Sequence, residues 1–400
     1  MKPRICLALE YPLLQQGGTE VLVDALVRGL CPHFEIVLVS GDADSSSLPT
    51  GVRDAIVAHL PWNPGTAGLD EAKSLAASIR ELKVTLAHFH FGGTFEWKSN
   101  RFWQCPIFHL AARDIPCLST NHLAVEWLNC GVNPRRALWT KHLFQLLAIA
   151  SRSLIYQRLQ CEICVSRHDQ RRVQRMFPHF RSKVLQRYHS LLSEDAPPPT
   201  LSPREPVLLC VGTIGGRKAQ INLVEAFSRI AARYPEWRVE LIGRFGVQAD
   251  VDLIRRMAKC QGLTERVRLP GRLPDAETLQ RMKTASIFVM PSLQEGLGLS
   301  LQEALFHGCV GVGTIAGGIP ELIDDRVNGI LVPPGDVGAL AAALNELISD
   351  PLKLERMRTE SRASILRKRM TLDSMTRNYE GFYRRILTRD NILEPGKRSE

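Results

Sequence analysis

Nowhere in this 400-residue sequence do roughly eighteen apolar residues run together, the length a membrane-crossing helix needs. No basic-then-apolar leader precedes the first strand-like run at Ile5, so the expected compartment is the cytoplasm. A disulfide framework is missing too: the ten cysteines are scattered, as reduced and mostly buried thiols are. The single CxxC, Cys161 and Cys164 with His168 after it, lacks a second pair to complete a zinc site, and CEICVS reads as a strand. No metal ion and no other cofactor is expected, and GDADSSS after the second strand reads as a polar turn.

Acidic residues are scarce in one block. Between Cys130 and Leu192 only Glu162 and Asp169 face twelve lysines and arginines, which accounts for the whole formal charge of +10. Such a block can attract anionic headgroups or an anionic ligand, and the long apolar stretch inside it, with Trp139 and Phe144, suits either a membrane interface or a helix packed on a sheet. No nucleic-acid partner is expected. Otherwise the composition, 44% hydrophobic and 23% charged, describes a soluble globular protein whose length suits two domains.

The stretch that organises the chain runs from Pro291 to Asp336, PSLQEGLGLSLQEALFHGCVGVGTIAGGIPELIDDRVNGILVPPGD. SIFVM before it has the character of a buried parallel strand; Pro291, Gly296 and Gly298 break it; Leu301, Ala304 and Leu305 then fall at helical spacing. Glu295 is thereby predicted in the loop at the strand's carboxyl end, and Glu303 about a turn inside the helix. Carboxylates accept hydrogen bonds from sugar hydroxyls, and the open amides of Leu297, Gly298 and Leu299 at the helix start would face a phosphate. Two solvated glutamates at a helix start would give the same spacing.

A second strand, glycine loop and helix begins at Val207, VLLCVG then TIGGRKAQ, and reads as another phosphate-binding layout with Lys218 as a point charge. The proline-rich run SEDAPPPTLSPREP before it reads as a linker. In the first half, Gly17 and Gly18 follow the first strand, and His88, His90 and His122 stand at two further strand ends; one of His88 and His90 is expected to be a satisfied core histidine.

Taken together, EGLGLSLQEAL, AGGIPELI and NGILVPPGD resemble the donor-site signature of retaining glycosyltransferases of family 4, the glycosyl transferases group 1, closely from Val207 to about Asp350 and loosely before that. The resemblance implies an α/β GT-B fold of two facing Rossmann-like domains: residues 1–192 on the acceptor side, a linker at 193–206, a donor domain at 207–370, and a helix and tail at 371–400 crossing back to the first domain. It implies catalytic roles for Glu295, His122 and Lys218, with Glu295 and His122 toward the transferred sugar and Lys218 on the diphosphate. It places Glu303 on the ribose, and Gly17, Gly18, Arg217, Arg272, Leu297, Gly298, Leu299, Gly317 and Gly318 around the donor, the last two glycines permitting close approach to the sugar. Two positions depart from the pattern, Thr213 where many relatives have arginine and Ala219 where they have glycine, and the asparagine-glycine turn expected near VLQRYHSLL is absent.

The activity implied is metal-independent transfer of a sugar from a UDP-, GDP- or ADP-sugar to an acceptor hydroxyl, lipid-linked or not, by a cytoplasmic protein peripheral to the membrane's inner face. The alternatives are a phosphorylase or sugar-nucleotide epimerase of the same fold, or a catalytically silent sugar-nucleotide-binding partner.

Overall fold

The computed structural model describes residues 2–13, 17–63, 68–91, 104–110, 115–122, 138–198 and 204–388, excepting the side chains of 91, 138–145, 147 and 148. Its contacts divide into two compact units, Met1–His189 with Leu372–Glu400, and Ser190–Thr371.

The first unit is built on seven parallel strands: β1 (Arg4–Leu9), β2 (Glu35–Ser40), β3 (Ala58–Pro61), β4 (Leu86–Phe91), β5 (Cys117–Asn121), β6 (Cys161–Cys164) and β7 (Val184–Gln186). Their order is β3-β2-β1-β4-β5-β6-β7. Runs such as RICLAL and EIVLVS are apolar on both faces because helices cover both sides of the sheet. The helices are α1 (Gly18–Leu30), α2 (Thr50–Arg53), α3 (Leu69–Glu81), α4 (Pro106–Leu110), α5 (Leu138–Arg158) and α6 (Arg167–Met176). Crossovers of one hand carry the chain outward from β1 to β3 and then, from β4, outward the other way. The strand order therefore reverses between β1 and β4, which is where an open α/β sheet forms its crevice.

The second unit repeats the plan with six parallel strands: β8 (Glu205–Val211), β9 (Arg238–Ile242), β10 (Val267–Gly271), β11 (Ala285–Met290), β12 (Val310–Thr314) and β13 (Gly329–Val332), in the order β10-β9-β8-β11-β12-β13. Its helices are α7 (Gln220–Ser228), α8 (Gln248–Cys260), α9 (Asp275–Thr284), α10 (Leu299–Phe306), α11 (Ile319–Leu322), α12 (Val337–Ser349) and α13 (Pro351–Arg367). Here the reversal falls between β8 and β11. Leu223, Phe227, Ile254, Val289 and Leu344 lie in one core against the sheet.

The chain then returns to the first unit as α14 (Leu372–Leu387), which buries Tyr379, Phe382 and Tyr383 there. Burying aromatic rings of this size stabilises by about 1.5–3 kcal/mol each.

The proline-rich stretch is more than a linker. Ser190 Oγ donates to the Met370 carbonyl at 2.9 Å, Thr371 Oγ1 donates to Glu194 at 2.6 Å, and Arg362 holds the carbonyls of Ala196 and Pro197. The second unit accordingly starts at Ser190, and β8 starts at Glu205. Trp139 and Phe144 have side chains outside the described residues. Cys161 and Cys164 do form a strand, and burial raises the pKa of both thiols.

Candidate functional site

The reversal in the second unit brings the loop after β8 beside the loop after β11. As a result, Lys218 Nζ donates to Glu295 Oε2 at 2.5 Å, and an Arg217 guanidinium nitrogen lies 3.6 Å from the same oxygen. The loops are sewn together by backbone: Leu293 N donates to the Arg217 carbonyl at 2.7 Å, and Arg217 donates to the Gln294 carbonyl at 2.9 Å. Burial acts to raise the Glu295 pKa, but Lys218, Arg217 and the Gly296 amide outweigh it, so the carboxyl is held below its ordinary value and is ionised at neutral pH.

The glycines of the first of these loops do something other than the sequence suggests. Gly215 N donates to Gln220 Oε1 at 3.0 Å and Gly216 N to Asp250 Oδ2 at 2.6 Å, so the chain's own side chains already fill the amides that a phosphate would use. The glycines are needed for conformation, with φ of +103° and +58°. Ala219 holds a left-handed φ of +47°, a conformation alanine pays for and glycine would not.

Gly317 packs closely on the chain itself. A Cβ there would lie 1.7 Å from the Glu295 carbonyl oxygen, and Gly318 N donates to the Gly296 carbonyl at 3.0 Å. Both glycines therefore fix the backbone that presents Glu295.

Gly298, at φ +97°, turns the chain into α10, and Ser300 Oγ ties the helix start to the Val211 carbonyl at 3.0 Å. Leu297 is buried and Leu299 half-buried, so these residues can offer a ligand only their amides. Glu303 sits in the next turn, and burial, helped by the charge of Asp275, raises its pKa to about 7. Arg272 is exposed just past β10.

The first unit presents a different edge. Gly17 caps α1, with the Glu20 carboxylate packed against it, and Gly18 is the first residue of that helix. His88 is the satisfied core histidine: Nδ1 bonds Tyr383 Oη at 2.5 Å and Nε2 bonds Thr120 Oγ1 at 2.8 Å. His90 is buried with neither ring nitrogen bonded among the described residues, and it stacks on His122 with centroids 5.7 Å apart. Burial lowers the pKa of His122 to about 3, so its ring is neutral. Asp42 and Asp44 are an acidic pair in the GDADSSS turn at the end of β2. Asp42 accepts from Ser40 Oγ and Leu13 N, and Asp44 caps the following turn, so both serve the loop. Among the described residues no three histidine, cysteine, aspartate or glutamate side chains converge as metal ligands.

Residues 193–364 match the family described as Glycosyl transferases group 1. That match covers 172 of the 400 residues. The GDP-mannose-dependent alpha-(1-6)-phosphatidylinositol monomannoside mannosyltransferase of Mycolicibacterium smegmatis is 28% identical over 38% of this chain and 41% of its own length. The D-inositol 3-phosphate glycosyltransferase of Mycobacterium sp. (strain JLS) is 27% identical over 70% of this chain and 62% of its own. The matched stretches thus span less than two thirds of either relative. Among solved structures, a glycosyltransferase from Rickettsia africae superposes with a TM-score of 0.73 at 16% identity, covering 98% of this chain and all of that one. Anabaena HepE in complex with UDP-glucose gives 0.71 at 17% identity over 95% and 99%. These likenesses establish the fold as GT-B.

Proposed function

We propose that this chain is a retaining, hexosyltransferase-type enzyme that moves a sugar from a nucleoside diphosphate sugar to an acceptor hydroxyl in glycoconjugate or polysaccharide synthesis. The observation that carries the reading is the meeting of Lys218, Arg217 and ionised Glu295 at the strand-order reversal of the second unit, with Glu303 a turn into the adjoining helix. Glu303 would accept from the ribose hydroxyls, Lys218, Arg217 and the α10 amides would hold the diphosphate, and Glu295 would face the transferred sugar. Charge grows on the departing diphosphate, so cations already in place stabilise the transition state more than the bound donor. With front-face attack, the C1–O bond to the diphosphate breaks as the acceptor oxygen bonds the same face, and the acceptor proton passes to the leaving phosphate oxygen. That route needs no protein nucleophile and no metal ion. Neutral His122 can offer a hydrogen bond without bringing a charge.

The acceptor is placed on the first unit, and a lipid-linked one is favoured by the phosphatidylinositol mannoside in one relative's name. Leu146 and Leu154 are exposed on α5, with Arg171, Arg172 and Arg175 exposed on α6, a combination suited to an anionic membrane surface. No described helix is long and apolar enough to cross a membrane. Equal absence of binding to neutral and anionic vesicles at low salt would remove the membrane part of the proposal.

The central test is a panel of UDP-, GDP- and ADP-sugars scored for release of nucleoside diphosphate, repeated with Glu303→Ala. One donor should turn over slowly, and the variant should need about ten to thirty times more of it. Binding without turnover, even after acceptors are added, would favour a silent sugar-nucleotide-binding partner, a reading to which strained Ala219 lends weight.

A further inference from the structure

A third cation stands on the carboxyl edge that carries Lys218 and Arg217. Arg244 follows β9 directly after Gly243, and it is fixed there by close backbone contact. A Cβ on Gly243 would fall 2.0 Å from the Gly212 carbonyl oxygen, and Ile214 N donates to the Arg244 carbonyl at 2.9 Å. The end of β9 is thus locked to the end of β8.

The side chains there are arranged as well as the backbone. Arg244 Nε donates to Thr213 Oγ1 at 3.3 Å. The threonine methyl group packs so tightly on Gly246 that a Cβ on that glycine would come within 2.4 Å of it, which holds the hydroxyl toward the arginine. Since the hydroxyl accepts from Arg244, its own proton is left to donate. Lys218 reaches the same step of chain: a Cβ on Gly212 would lie 3.8 Å from its Nζ.

Three observations say what this arrangement would bind. The charges of Lys218 and Arg217 are partly cancelled by Glu295, 2.5 and 3.6 Å away. The amides of Gly215 and Gly216 are filled by Gln220 and Asp250. Arg244 is exposed and makes no ion pair with a carboxylate among the described residues. An anionic ligand with charge on two adjacent groups would find here a guanidinium still able to offer its terminal nitrogens, the fork geometry that suits phosphoryl oxygens.

We infer that Arg244, positioned by Thr213, is a further binding residue for the donor diphosphate; this rests on the donor-site reading above. The test is calorimetric titration of UDP, UMP, GDP and GMP into the full chain and into Arg244→Gln and Thr213→Val. Arg244→Gln should weaken the preferred diphosphate about tenfold or more and its monophosphate about threefold or less, the size expected of a charge-assisted hydrogen bond. Thr213→Val should show the same selectivity at smaller size, and Arg244→Lys should recover part of the loss. An unaltered ratio of diphosphate to monophosphate affinity in Arg244→Gln, in a wild type that binds diphosphate, overturns this inference alone. Failure of the wild type to bind any of the four, or ADP and AMP titrated beside them, overturns the donor-site reading and this inference with it.

Discussion

The two sheets are alike in topology and unlike in what stands at their carboxyl edges. Each is parallel, and each reverses its strand order beside its own first strand. The second unit places Lys218, Arg217 and an ionised carboxylate at that reversal. Toward the first unit's edge stand His90 and His122, both with pKa values lowered by burial. The topology therefore provides a crevice in both units but determines the chemistry of neither. An edge of charge suits a phosphorylated ligand; an edge of neutral imidazoles suits hydroxyl groups, which need hydrogen bonds and no counter-ion.

The sharpest way to break this contrast is to remove the ammonium. Lys218→Met should lower kcat/KM by about 10²–10³, the usual cost of losing one preorganised charge at a leaving group. It also leaves Glu295 buried without its nearest cation, so Tm should fall. The double variant Lys218→Met/Glu295→Gln should regain Tm without regaining activity, because neither the unpaired charge nor the catalytic one remains. Steady-state kinetics beside thermal melts would read both, and near-normal turnover in Lys218→Met would end the proposed role.

At pH 8, where its carboxyl is mostly ionised, Glu303→Ala should have the next largest effect, raising donor KM about ten- to thirtyfold through loss of charged hydrogen bonds to the ribose. If the nucleoside without phosphates bound wild type and variant equally well, the ribose assignment would be wrong.

The same carboxyl gives a pH signature. Its folded pKa of about 7 lies above the ordinary 4.5, so the unfolded chain releases this proton first and stability contributed by Glu303 is lost as pH rises from 4.5 to 7. Glu303→Gln should therefore stabilise the protein more at pH 8 than at pH 5, by about 2 kcal/mol. Denaturant titrations at the two pH values would show it; an equal effect at both would mean that the carboxyl is not held protonated by its surroundings.

How much of this was legible without coordinates follows from where the information lies. Pairing Glu295 with Glu303 needed only a strand, a glycine break and a helical period, all local patterns. The meeting of Lys218 with Glu295 depends on β8 and β11 being neighbours, which strand order decides, although reading each glycine loop as a strand-end loop already placed both at one edge. The use made of the glycines was not readable: that Asp250 would fill the amide of Gly216, or that Gly317 would meet the Glu295 carbonyl, is packing between segments distant in sequence, and Gln220 meets the amide of Gly215 through the fold of their own loop. Arg244 did carry a signal, since it follows a glycine at the end of a strand, the position that singles out Arg272. Of the first unit, the alternation marks one of His88 and His90 as satisfied without saying which; it is His88, and its partner Tyr383 arrives from the far end of the chain.

The smallest expected effect concerns the first unit and has the opposite sign. His122 has an ordinary pKa of 6.5 that burial lowers to about 3. Below pH 6.5 the unfolded chain takes up a proton that the folded ring refuses, so stability is lost as pH falls, where for Glu303 it is lost as pH rises. Replacing the imidazole with a ring that cannot titrate should remove this share. His122→Phe should reduce the stability difference between pH 7.5 and pH 5.5 by about 1 kcal/mol, whatever constant change the substitution brings at both. If the difference were unchanged, the ring would be protonated in the folded state at pH 5.5. The first unit's edge would then carry a positive charge, and the contrast between the two edges would be one of degree.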